Sequence, residues 1–436
     1  MQITLSGAKN SVLPLLAIPC LSSSEIHYVN VPRISDVDIM CELLEVLQFQ
    51  IIRETNKIII LPHTLFLENN FRLQSTASIR ASYYFFGTLV HFKTKIIHPS
   101  IGGCNLGDRN IDFHQRFFEL LGVHIIMQED AVIVDATNFC FRKSTSYTFP
   151  KKTVGGTINA IFAGVVGEGE IYLYNHSKDM YVFDVIEVLS ALGAEISVHD
   201  SHIYMKRQSH LKTAKVVYEI KVDPVNTGTA ILFAALSESS EAHFHNANLS
   251  WLGETKEILS RCGINMVDKA IVRTPRLKEF HITTDHYPGF YTDLMPLFCI
   301  LASQIGNCSI EEKIYNNRFQ FVHELKKLDF NFQLINNKKI QISHCNFGFD
   351  GNSIGLSAPD LRGGVALVLA SCLTIKNFPE KQIVIKNFHY LRRGCDNIEI
   401  FTDLFQVRIT NRTDNIAILR HKDVSKPISL HSGSNV

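Results

Sequence analysis

The stretch HQRFFELLGVHIIMQEDAVIV, residues 114–134, contains the pattern that decides the fold. It begins as an amphipathic helix that ends at Leu121, and a strand starts four residues later at Ile125. The polar turn 128–130 then leads into a second apolar strand over 131–134, so the end of the stretch predicts a β-hairpin. This succession of helix, strand, turn and strand occurs six times in the chain.

The six copies form an internal repeat. The apolar residues at the helix end and the strand start are Leu47 and Ile51, Leu121 and Ile125, Leu192 and Ile196, Cys262 and Met266, Leu328 and Phe332, and Phe405 and Ile409. Successive pairs lie 66 to 77 residues apart, which is too regular for chance.

Each repeat also contains a second helix that is apolar on nearly every face. These helices are predicted over 11–18, 81–90, 157–166, 229–236, 294–302 and 363–373. A helix without a polar face must be buried, whereas the amphipathic helix of each repeat faces water. The sequence therefore predicts an α/β fold of six βαβαββ units, arranged as two domains with buried helices at their centres and sheets around them.

The domain boundary is expected near residues 218–222, where no flexible Gly/Ser linker occurs. We predict a first domain over 6–220, a second over 221–421 and a polar tail over 422–436. Because the first unit starts almost at Met1, its leading strand is either missing or supplied by Ile3 to Leu5 alone. Residues 1–5 could instead join the sheet of the second domain.

Composition and charge exclude several classes of protein. The 43 basic and 42 acidic side chains nearly cancel, which is unlike a binder of nucleic acid or anionic membranes. The longest apolar stretches, 11–21 and 363–373, are shorter than the ~20 residues that span a bilayer, and no basic-then-apolar leader opens the chain. We therefore expect a cytoplasmic protein with neither nucleic-acid nor membrane partners.

Sequence signals for metals and common cofactors are lacking. The ten cysteines include no Cys-x-x-Cys pair, so neither a disulfide framework nor a zinc site of ordinary spacing is indicated. The chain has no Walker or Rossmann fingerprint. We expect no metal and no cofactor.

Three of the buried helices start beside a basic residue, namely Lys9, Arg80 or Arg362. Backbone N–H groups and the helix dipole favour anions at such starts. If the repeats are equivalent in structure, these ends converge on one cleft suited to phosphates and carboxylates. The alternative is that each basic residue is a solvated cap.

Two other positions are candidates for catalytic groups. Cys104 lies in the glycine-rich loop 102–109 close to Arg109, and an adjacent cation favours a reactive thiolate. An ordinary turn with an incidental cysteine explains this composition equally well. Asp293 precedes a buried helix, where it is either a dipole-compensating cap or a general base in the cleft.

Nine short motifs occur in a fixed order from residue 6 to about 410. They are Ser6 to Asn10, Ile79 to Ser82, Gly102 to Arg109, Thr153 to Gly155, Thr227 to Thr229, Thr292-Asp293, Asn317 to Phe319, Asp360 to Arg362 and Arg393-Gly394. In order and spacing they resemble the UDP-N-acetylglucosamine enolpyruvyl transferases of the EPSP synthase family. The lysine and cysteine motifs together distinguish these enzymes from their shikimate-pathway relatives.

This resemblance implies a pair of inside-out α/β barrels that close on their substrates. It implies transfer of enolpyruvyl from phosphoenolpyruvate to the 3-hydroxyl of UDP-N-acetylglucosamine, with release of phosphate, as the first committed step of peptidoglycan synthesis. Roles in cell-wall biogenesis, cell shape, the cell cycle and cell division would follow, as would inhibition by fosfomycin. We expect a monomer whose partners are these two small molecules.

The resemblance also implies roles for individual residues. Lys9, Asn10, Arg109 and Arg393 would bind phosphoenolpyruvate, and Lys9, Cys104 and Asp293 would be catalytic. Cys104 would act as an acid or a covalent partner on a mobile loop, and Asp293 would take the proton of the sugar hydroxyl. Contacts to the nucleotide sugar would come from Asn10, Arg80, Arg109, Asn110, Ile111, Asp112, Phe113, Lys151, Lys152, Thr153, Val154, Asp293 and Ile314. Arg318, Asp360 and Arg362 would organise the closed cleft.

The chain departs from the family's usual sequence at the domain junction. Asp179-Met180-Tyr181 stands where a Glu-Pro-Glu run is usual, and 223–226 lacks the usual arginine and glutamate. The segment 109–113 lacks the usual proline after its arginine. Two alternatives therefore stay open: the same chemistry on another nucleotide or a shikimate-type acceptor, and a non-catalytic relative kept as a binding protein.

Overall fold

The computed structural model describes residues 1–73, 79–99, 112–140, 144–211, 213–237, 242–345, 348–396 and 398–423, with the backbone alone for 112–114 and 411–412. Its strands are β1 (Gln2–Ile3), β2 (Glu25–Val29), β3 (Ile51–Arg53), β4 (Lys57–Ile60), β5 (Phe71–Arg72), β6 (Lys95–Pro99), β7 (His124–Met127), β8 (Ala131–Asp135), β9 (Ser144–Thr148), β10 (Glu170–Tyr174), β11 (Glu195–Val198), β12 (His202–Lys206), β13 (Lys215–Glu219), β14 (His243–Phe244), β15 (Ile264–Val267), β16 (Ala270–Arg273), β17 (His281–Thr283), β18 (Cys308–Glu311), β19 (Phe332–Asn336), β20 (Lys339–Ile342), β21 (Ser353–Ser357), β22 (Gln382–Lys386), β23 (Val407–Thr413) and β24 (Ile416–His421).

Helices connect these strands. The α-helices are α1 (Lys9–Leu15), α2 (Ser35–Val46), α3 (Tyr84–Leu89), α4 (Asp112–Leu120), α5 (Val154–Val165), α6 (Met180–Ala191), α7 (Pro224–Ser237), α8 (Glu254–Cys262), α9 (Met295–Ile305), α10 (Phe321–Leu325), α11 (Leu361–Asn377), α12 (His389–Arg392) and α13 (Ile398–Asp403). Short 3₁₀ helices cover Ile18–Leu21, Arg80–Tyr83, Val90–Phe92, Thr292–Leu294 and Lys326–Leu328. Within the described ranges, no helix is long and apolar enough to cross a membrane.

The six sheets share one strand order. In the sheet β5-β6-β8-β7, β5 and β6 are parallel, and β8 runs antiparallel to both β6 and β7. The same order gives β9-β10-β12-β11, β13-β2-β4-β3, β1-β14-β16-β15, β17-β18-β20-β19 and β21-β22-β24-β23. The predicted α/β fold of six βαβαββ units is confirmed.

The apolar helices lie at the centres of two hydrophobic clusters. α1, α3 and α5 belong to a cluster that extends from Val12 to Ile220. α7, α9 and α11 belong to a second cluster, which comprises Ile3, Leu5 and residues from Val225 to Leu419. α11 is buried along its first fifteen residues, 361–375, because it offers no polar face to solvent. The domain limits 6–220 and 221–421 stay predictions.

The two clusters exchange strands. β13 pairs in parallel with β2 and starts the first unit, so the prediction that this strand is missing or supplied by Ile3 to Leu5 is wrong. β1 instead pairs in parallel with β14, in a sheet of the second cluster. A strand supplied from almost 200 residues further along the chain leaves no local signal in the first unit.

The exchange makes the chain cross between the clusters twice, and the two crossings lie side by side. Gly7 forms an antiparallel bridge with Val222, and the N–H of Ala8 donates to the carbonyl of Lys221 over 2.9 Å. A Cβ atom at Gly7 would lie 2.2 Å from the carbonyl oxygen of Asn30, so this close approach requires glycine. The crossing fixes the start of α1, where Lys9 is located.

Candidate active site

Lys9 and Arg393 approach each other from the two clusters and bind the same carboxylate. Lys9 Nζ lies 2.7 Å from Oδ2 of Asp36, and Arg393 Nε donates to Oδ1 of Asp36 over 2.9 Å. Asp36 is the buried second residue of α2. A Cβ atom at Gly394 would lie 3.0 Å from Lys9 Cδ, so the loop after α12 packs closely against the lysine side chain. One carboxylate therefore joins two predicted phosphoenolpyruvate ligands across the interface.

The charges of this group leave an excess of positive charge. Burial lowers the pKa of Lys9, and the attraction of Asp36 offsets this only in part. Burial by itself would raise the pKa of Asp36, but Lys9 and Arg393 together hold it below its ordinary value. Arg362 is near enough to lower the pKa of Lys9 further. Because two cations face one carboxylate, the group favours the binding of an anion.

A second ion group surrounds Asp293, which lies in the 3₁₀ turn before α9. Arg318 Nη2 donates to its Oδ1 over 3.0 Å, and Arg362 Nε donates to its Oδ2 over 3.0 Å. Arg318 is 2% exposed, whereas Asp293 is 24% exposed. The two arginines thus fix the orientation of a carboxylate that still reaches solvent, as a general base requires.

Asp360 supports this arrangement from the start of α11. Its Oδ1 accepts the N–H groups of Arg362 and Gly363 over 2.9 and 3.1 Å, which caps the helix. Arg318 Nη1 lies 3.7 Å from the same oxygen. Arg318 therefore bridges two carboxylates and holds the start of α11 next to Asp293.

Asp223 connects the two ion groups. Its Oδ1 accepts the N–H of Val225 over 2.7 Å at the start of α7, and its Oδ2 accepts the N–H of Lys9 over 3.3 Å. Burial raises the pKa of Asp223, and the charge of Arg362 opposes this rise. Arg362 therefore acts on Lys9, Asp223 and Asp293 together.

The residues predicted for the nucleotide sugar occupy other helix starts. Thr153 caps α5, where its Oγ1 accepts the N–H of Gly156 over 3.3 Å. The charge of Lys152 acts on Asp179 and on His286, the residue before Tyr287, which packs against the second cluster. Lys151 is exposed, and Asn10, Lys152, Thr153, Val154 and Ile314 are partly exposed.

Arg80 opens the 3₁₀ turn before α3, and its guanidinium lies 5.7 Å from the ring centre of Tyr83. Its charge also acts on Tyr84, as do those of Asp179 and Tyr315, so these groups lie near one another. Tyr315 follows Ile314, whose N–H donates to Glu312 Oε1 over 2.7 Å. Arg80 and Tyr315, the residue after Ile314, therefore both lie near Tyr84.

Four predicted site residues, Cys104, Arg109, Asn110 and Ile111, lie outside the described residues. Asp112 and Phe113 form the start of α4, and their side chains are not among those described. The expected roles of all six stay predictions. In the part of the chain that the structure describes, no group of three or more His, Cys, Asp or Glu side chains could hold a metal ion.

Asp36 was missed by sequence reasoning. An aspartate in the first turn of an amphipathic helix is usually a solvated group that offsets the helix dipole. The apolar neighbours Ile34 and Val37 place the first turn of α2 against the core, but they do not indicate that Asp36 pairs with Lys9 and Arg393.

We predict that Asp36→Asn lowers the free energy of unfolding by about 3 kcal/mol, because it leaves Lys9 and Arg393 buried without a counter-charge. Urea denaturation at pH 7 measures this. Asp38→Asn is the matched control: Asp38 lies two residues further along α2, 62% exposed, and pairs with Arg53, so its loss should cost less than about 1 kcal/mol. Equal effects of the two variants would contradict a special role for Asp36.

The pH dependence gives a second test of Asp36. Its pKa is lower in the folded protein than its ordinary 3.8, so its contribution to stability is complete at neutral pH. That contribution is lost as the pH falls below 3.8 through the folded value. Asp36→Asn should lack this part of the acid destabilisation.

The sequence of this chain is similar to those of known enzymes. The model of the family described as EPSP synthase (3-phosphoshikimate 1-carboxyvinyltransferase) matches residues 1–400. The UDP-N-acetylglucosamine 1-carboxyvinyltransferase of Wolbachia sp. subsp. Brugia malayi (strain TRS) is 32% identical over 91% of this chain and 92% of its own. The protein of the same name from Clostridium botulinum (strain ATCC 19397 / Type A) is 30% identical over 91% of this chain and 94% of its own.

Solved structures give the same fold. The enolpyruvyl transferase NikO from Streptomyces tendae superposes with a TM-score of 0.78 at 17% identity, covering 92% of this chain and 94% of its own. EPSP synthase from Acinetobacter baumannii gives 0.68 at 14% identity, covering 96% of both chains. At these identities the likeness concerns the fold alone.

Proposed function

Because this chain belongs to the EPSP synthase family of transferases, we propose that it transfers the enolpyruvyl group of phosphoenolpyruvate to the 3-hydroxyl of UDP-N-acetylglucosamine and releases phosphate. The observation that carries this proposal is the similarity, over nine-tenths of both chains, to enzymes named for that reaction. The two ion groups around Asp36 and Asp293 support it, because the reaction needs an anion site beside a base.

In the proposed reaction, the 3-hydroxyl oxygen of the sugar attacks C2 of phosphoenolpyruvate while Asp293 takes the hydroxyl proton. The methylene carbon C3 receives a proton, for which Cys104 is the proposed donor. Loss of a proton from the resulting methyl group and departure of phosphate then restore the double bond. Lys9, Asn10, Arg109 and Arg393 would bind the carboxylate and phosphate of phosphoenolpyruvate.

The positive excess around Asp36 suits this binding step. An incoming phosphate competes with Asp36 for Lys9 and Arg393, and it brings more negative charge than the carboxylate does. Arg318 and Asp360 are positioning residues in the proposal, since they act through Arg362 and Asp293. The helix starts at Arg80 and at Lys151 to Val154 would contact the nucleotide, together with 109–113 and Ile314.

We propose that this reaction is the first committed step of peptidoglycan synthesis. The protein would then have a role in cell-wall biogenesis, cell shape, the cell cycle and cell division. We propose that the protein works in the cytoplasm, because both substrates are charged phosphates that do not cross a bilayer unaided. We also propose that it works as a monomer.

An acceptor panel tests the proposed function. Phosphate release is measured with phosphoenolpyruvate and either UDP-N-acetylglucosamine, other UDP-sugars, uridine monophosphate or shikimate 3-phosphate. We expect phosphate release to be fastest with UDP-N-acetylglucosamine. Faster release with another acceptor would assign the alternative acceptor, and no release with any acceptor would indicate a binding protein.

We predict that fosfomycin, an epoxide that mimics phosphoenolpyruvate, alkylates Cys104 and that UDP-N-acetylglucosamine accelerates the reaction by at least about tenfold. A thiol near Arg109 should have a larger thiolate fraction, and closure on the nucleotide would bring it to the phosphate site. Peptide mass mapping with and without nucleotide measures the adduct.

The other cysteines provide the control for this labelling. Cys140 is exposed, whereas Cys20, Cys41, Cys262, Cys299, Cys308, Cys345, Cys372 and Cys395 are buried. A thiol that reacts through exposure alone would behave like Cys140 and ignore the nucleotide. Equal labelling of Cys104 and Cys140, unchanged by nucleotide, would contradict the proposed role of Cys104.

A further inference from the structure

Two tyrosine hydroxyl groups are buried close to Asp293 without a hydrogen-bond partner in the described part of the protein. Tyr181 is the second residue of α6, and Tyr291 lies two residues before Asp293. They are 3% and 8% exposed, and neither phenol oxygen has a hydrogen-bond partner among the described residues. Buried polar groups are almost always paired, so two unpaired hydroxyls near the candidate base Asp293 are suited to pair with groups of a bound ligand.

The two tyrosines belong to different hydrophobic clusters. Tyr181 forms a small interface cluster with Ala8 and Met180, against which Trp251 packs. Tyr291 belongs to the second hydrophobic cluster, and its ring centre lies 6.2 Å from that of Tyr287. Tyr287 in turn lies 5.4 Å from Trp251. This aromatic row fixes both hydroxyls at the interface.

The charges around the hydroxyls decide which ligand they can accept. The carboxylates of Asp179, Asp223 and Asp293 help to raise the pKa of both tyrosines. Arg362 also lies near Tyr181. Burial raises the pKa of both phenols, so both stay neutral. Arg318 and Arg362 already bind Asp293, and Lys152 and Arg362 act on Asp179 and Asp223, so the described charges near the hydroxyls offset one another. A neutral hydroxyl or amide fits, because a phenol can both donate to it and accept from it.

We propose that Tyr181 and Tyr291 hydrogen-bond the neutral groups that flank the reacting hydroxyl of the acceptor and so select the sugar. This inference rests on the proposed function. In UDP-N-acetylglucosamine the neighbours of the 3-hydroxyl are the 2-acetamido group and the 4-hydroxyl, both neutral. Asp293 would hold the 3-hydroxyl, and the tyrosines beside it would reach its two neighbours.

The test uses Tyr181→Phe and Tyr291→Phe, which remove only the hydroxyl groups. KM and kcat are measured for UDP-N-acetylglucosamine, for its 4-epimer UDP-N-acetylgalactosamine and for UDP-glucose, which lacks the acetamido group. We expect each variant to raise the KM for UDP-N-acetylglucosamine by about 5- to 10-fold, the loss of one neutral hydrogen bond. The preference of the variant for UDP-N-acetylglucosamine over at least one of the two analogues should fall by a similar factor. The KM for phosphoenolpyruvate should stay constant.

Tyr147→Phe is the matched control. The hydroxyl of Tyr147 is also buried without a partner, but it lies on β9 and packs against Phe117 and Phe149. Its loss should leave every kinetic constant unchanged. Fluorescence of Trp251, the single tryptophan, gives the affinity for the nucleotide sugar separately from turnover. Thermal denaturation checks folding, and no variant should melt below the wild type, because each loses an unsatisfied group.

The outcomes separate this inference from the proposed function. Wild-type protein that turns over UDP-N-acetylglucosamine, with both variants unchanged in KM and preference, would overturn the inference alone. A fall in kcat without any change in KM, affinity or preference would overturn it too. Wild-type protein that does not use UDP-N-acetylglucosamine would contradict the proposed function and this inference with it.

Discussion

Asp293→Asn is expected to lower kcat by about 10²- to 10⁴-fold while changing the affinity for UDP-N-acetylglucosamine by less than about threefold. The sugar hydroxyl must lose a proton as its oxygen attacks, and an amide cannot accept that proton. The substitution also weakens the orientation of the side chain, because Arg318 and Arg362 then share one oxygen in place of two. Single-turnover rates and equilibrium binding of the nucleotide separate the two quantities.

Asp285→Asn is the control for this variant. Asp285 is an exposed aspartate in the loop that leads to Asp293, and its Oδ1 accepts only the neighbouring N–H of His286 among the described contacts. Its replacement should leave turnover unchanged. More than a tenth of wild-type turnover in Asp293→Asn would exclude Asp293 as the base.

Lys9→Ala and Arg393→Ala are each expected to weaken phosphoenolpyruvate binding by about 2 to 5 kcal/mol, at least 30-fold in Kd, if the proposed anion site is correct. Both groups are largely buried and already face a carboxylate, so a lost cation would leave the ligand with an unpaired charge next to Asp36. Titration with phosphoenolpyruvate in the presence of nucleotide measures the effect.

The neighbouring Arg392 supplies the control. Its guanidinium pairs with the exposed Asp414 over 2.6 Å at the surface, and its side chain is 43% exposed. Arg392→Ala should change the Kd by less than about threefold. If Lys9→Ala and Arg393→Ala behave like this control, the two residues only pair with Asp36 and the anion site is elsewhere.

Much of the fold could be predicted from the sequence because the signals were local. The spacing of pairs such as Leu121 and Ile125 marks each helix end and hairpin, and a fully apolar helix such as 363–373 has to be buried. The placement of β13 beside β2 could not be predicted, because the two strands are joined only by tertiary pairing. No local property of 215–219 indicates which unit it completes.

Some residues of the candidate site could likewise be predicted from the sequence, and others could not. Lys9, Asp293 and Arg362 could be singled out as charged residues at the starts of apolar helices, and Arg393 through the family resemblance. The structure brings the four residues together. Their partner Asp36 could not be singled out, because its burial depends on packing between the two clusters.

The hydroxyls of Tyr181 and Tyr291 become buried without a described hydrogen-bond partner only when the chain folds. No sequence pattern predicts this. Sequence motifs thus indicate which groups carry charge, whereas their pairing is a property of the tertiary fold.

The most direct measurement of the central claim follows the carbon atoms of phosphoenolpyruvate into the product. The purified protein is incubated with ¹³C-labelled phosphoenolpyruvate and UDP-N-acetylglucosamine, and the nucleotide fraction is analysed by NMR and mass spectrometry. We predict a labelled enolpyruvyl ether at the 3-oxygen of the sugar, formed in equal amount to the phosphate released and at least about 100-fold more slowly with Asp293→Asn. Label that stays in phosphoenolpyruvate, or appears on another hydroxyl of the acceptor, would contradict the account.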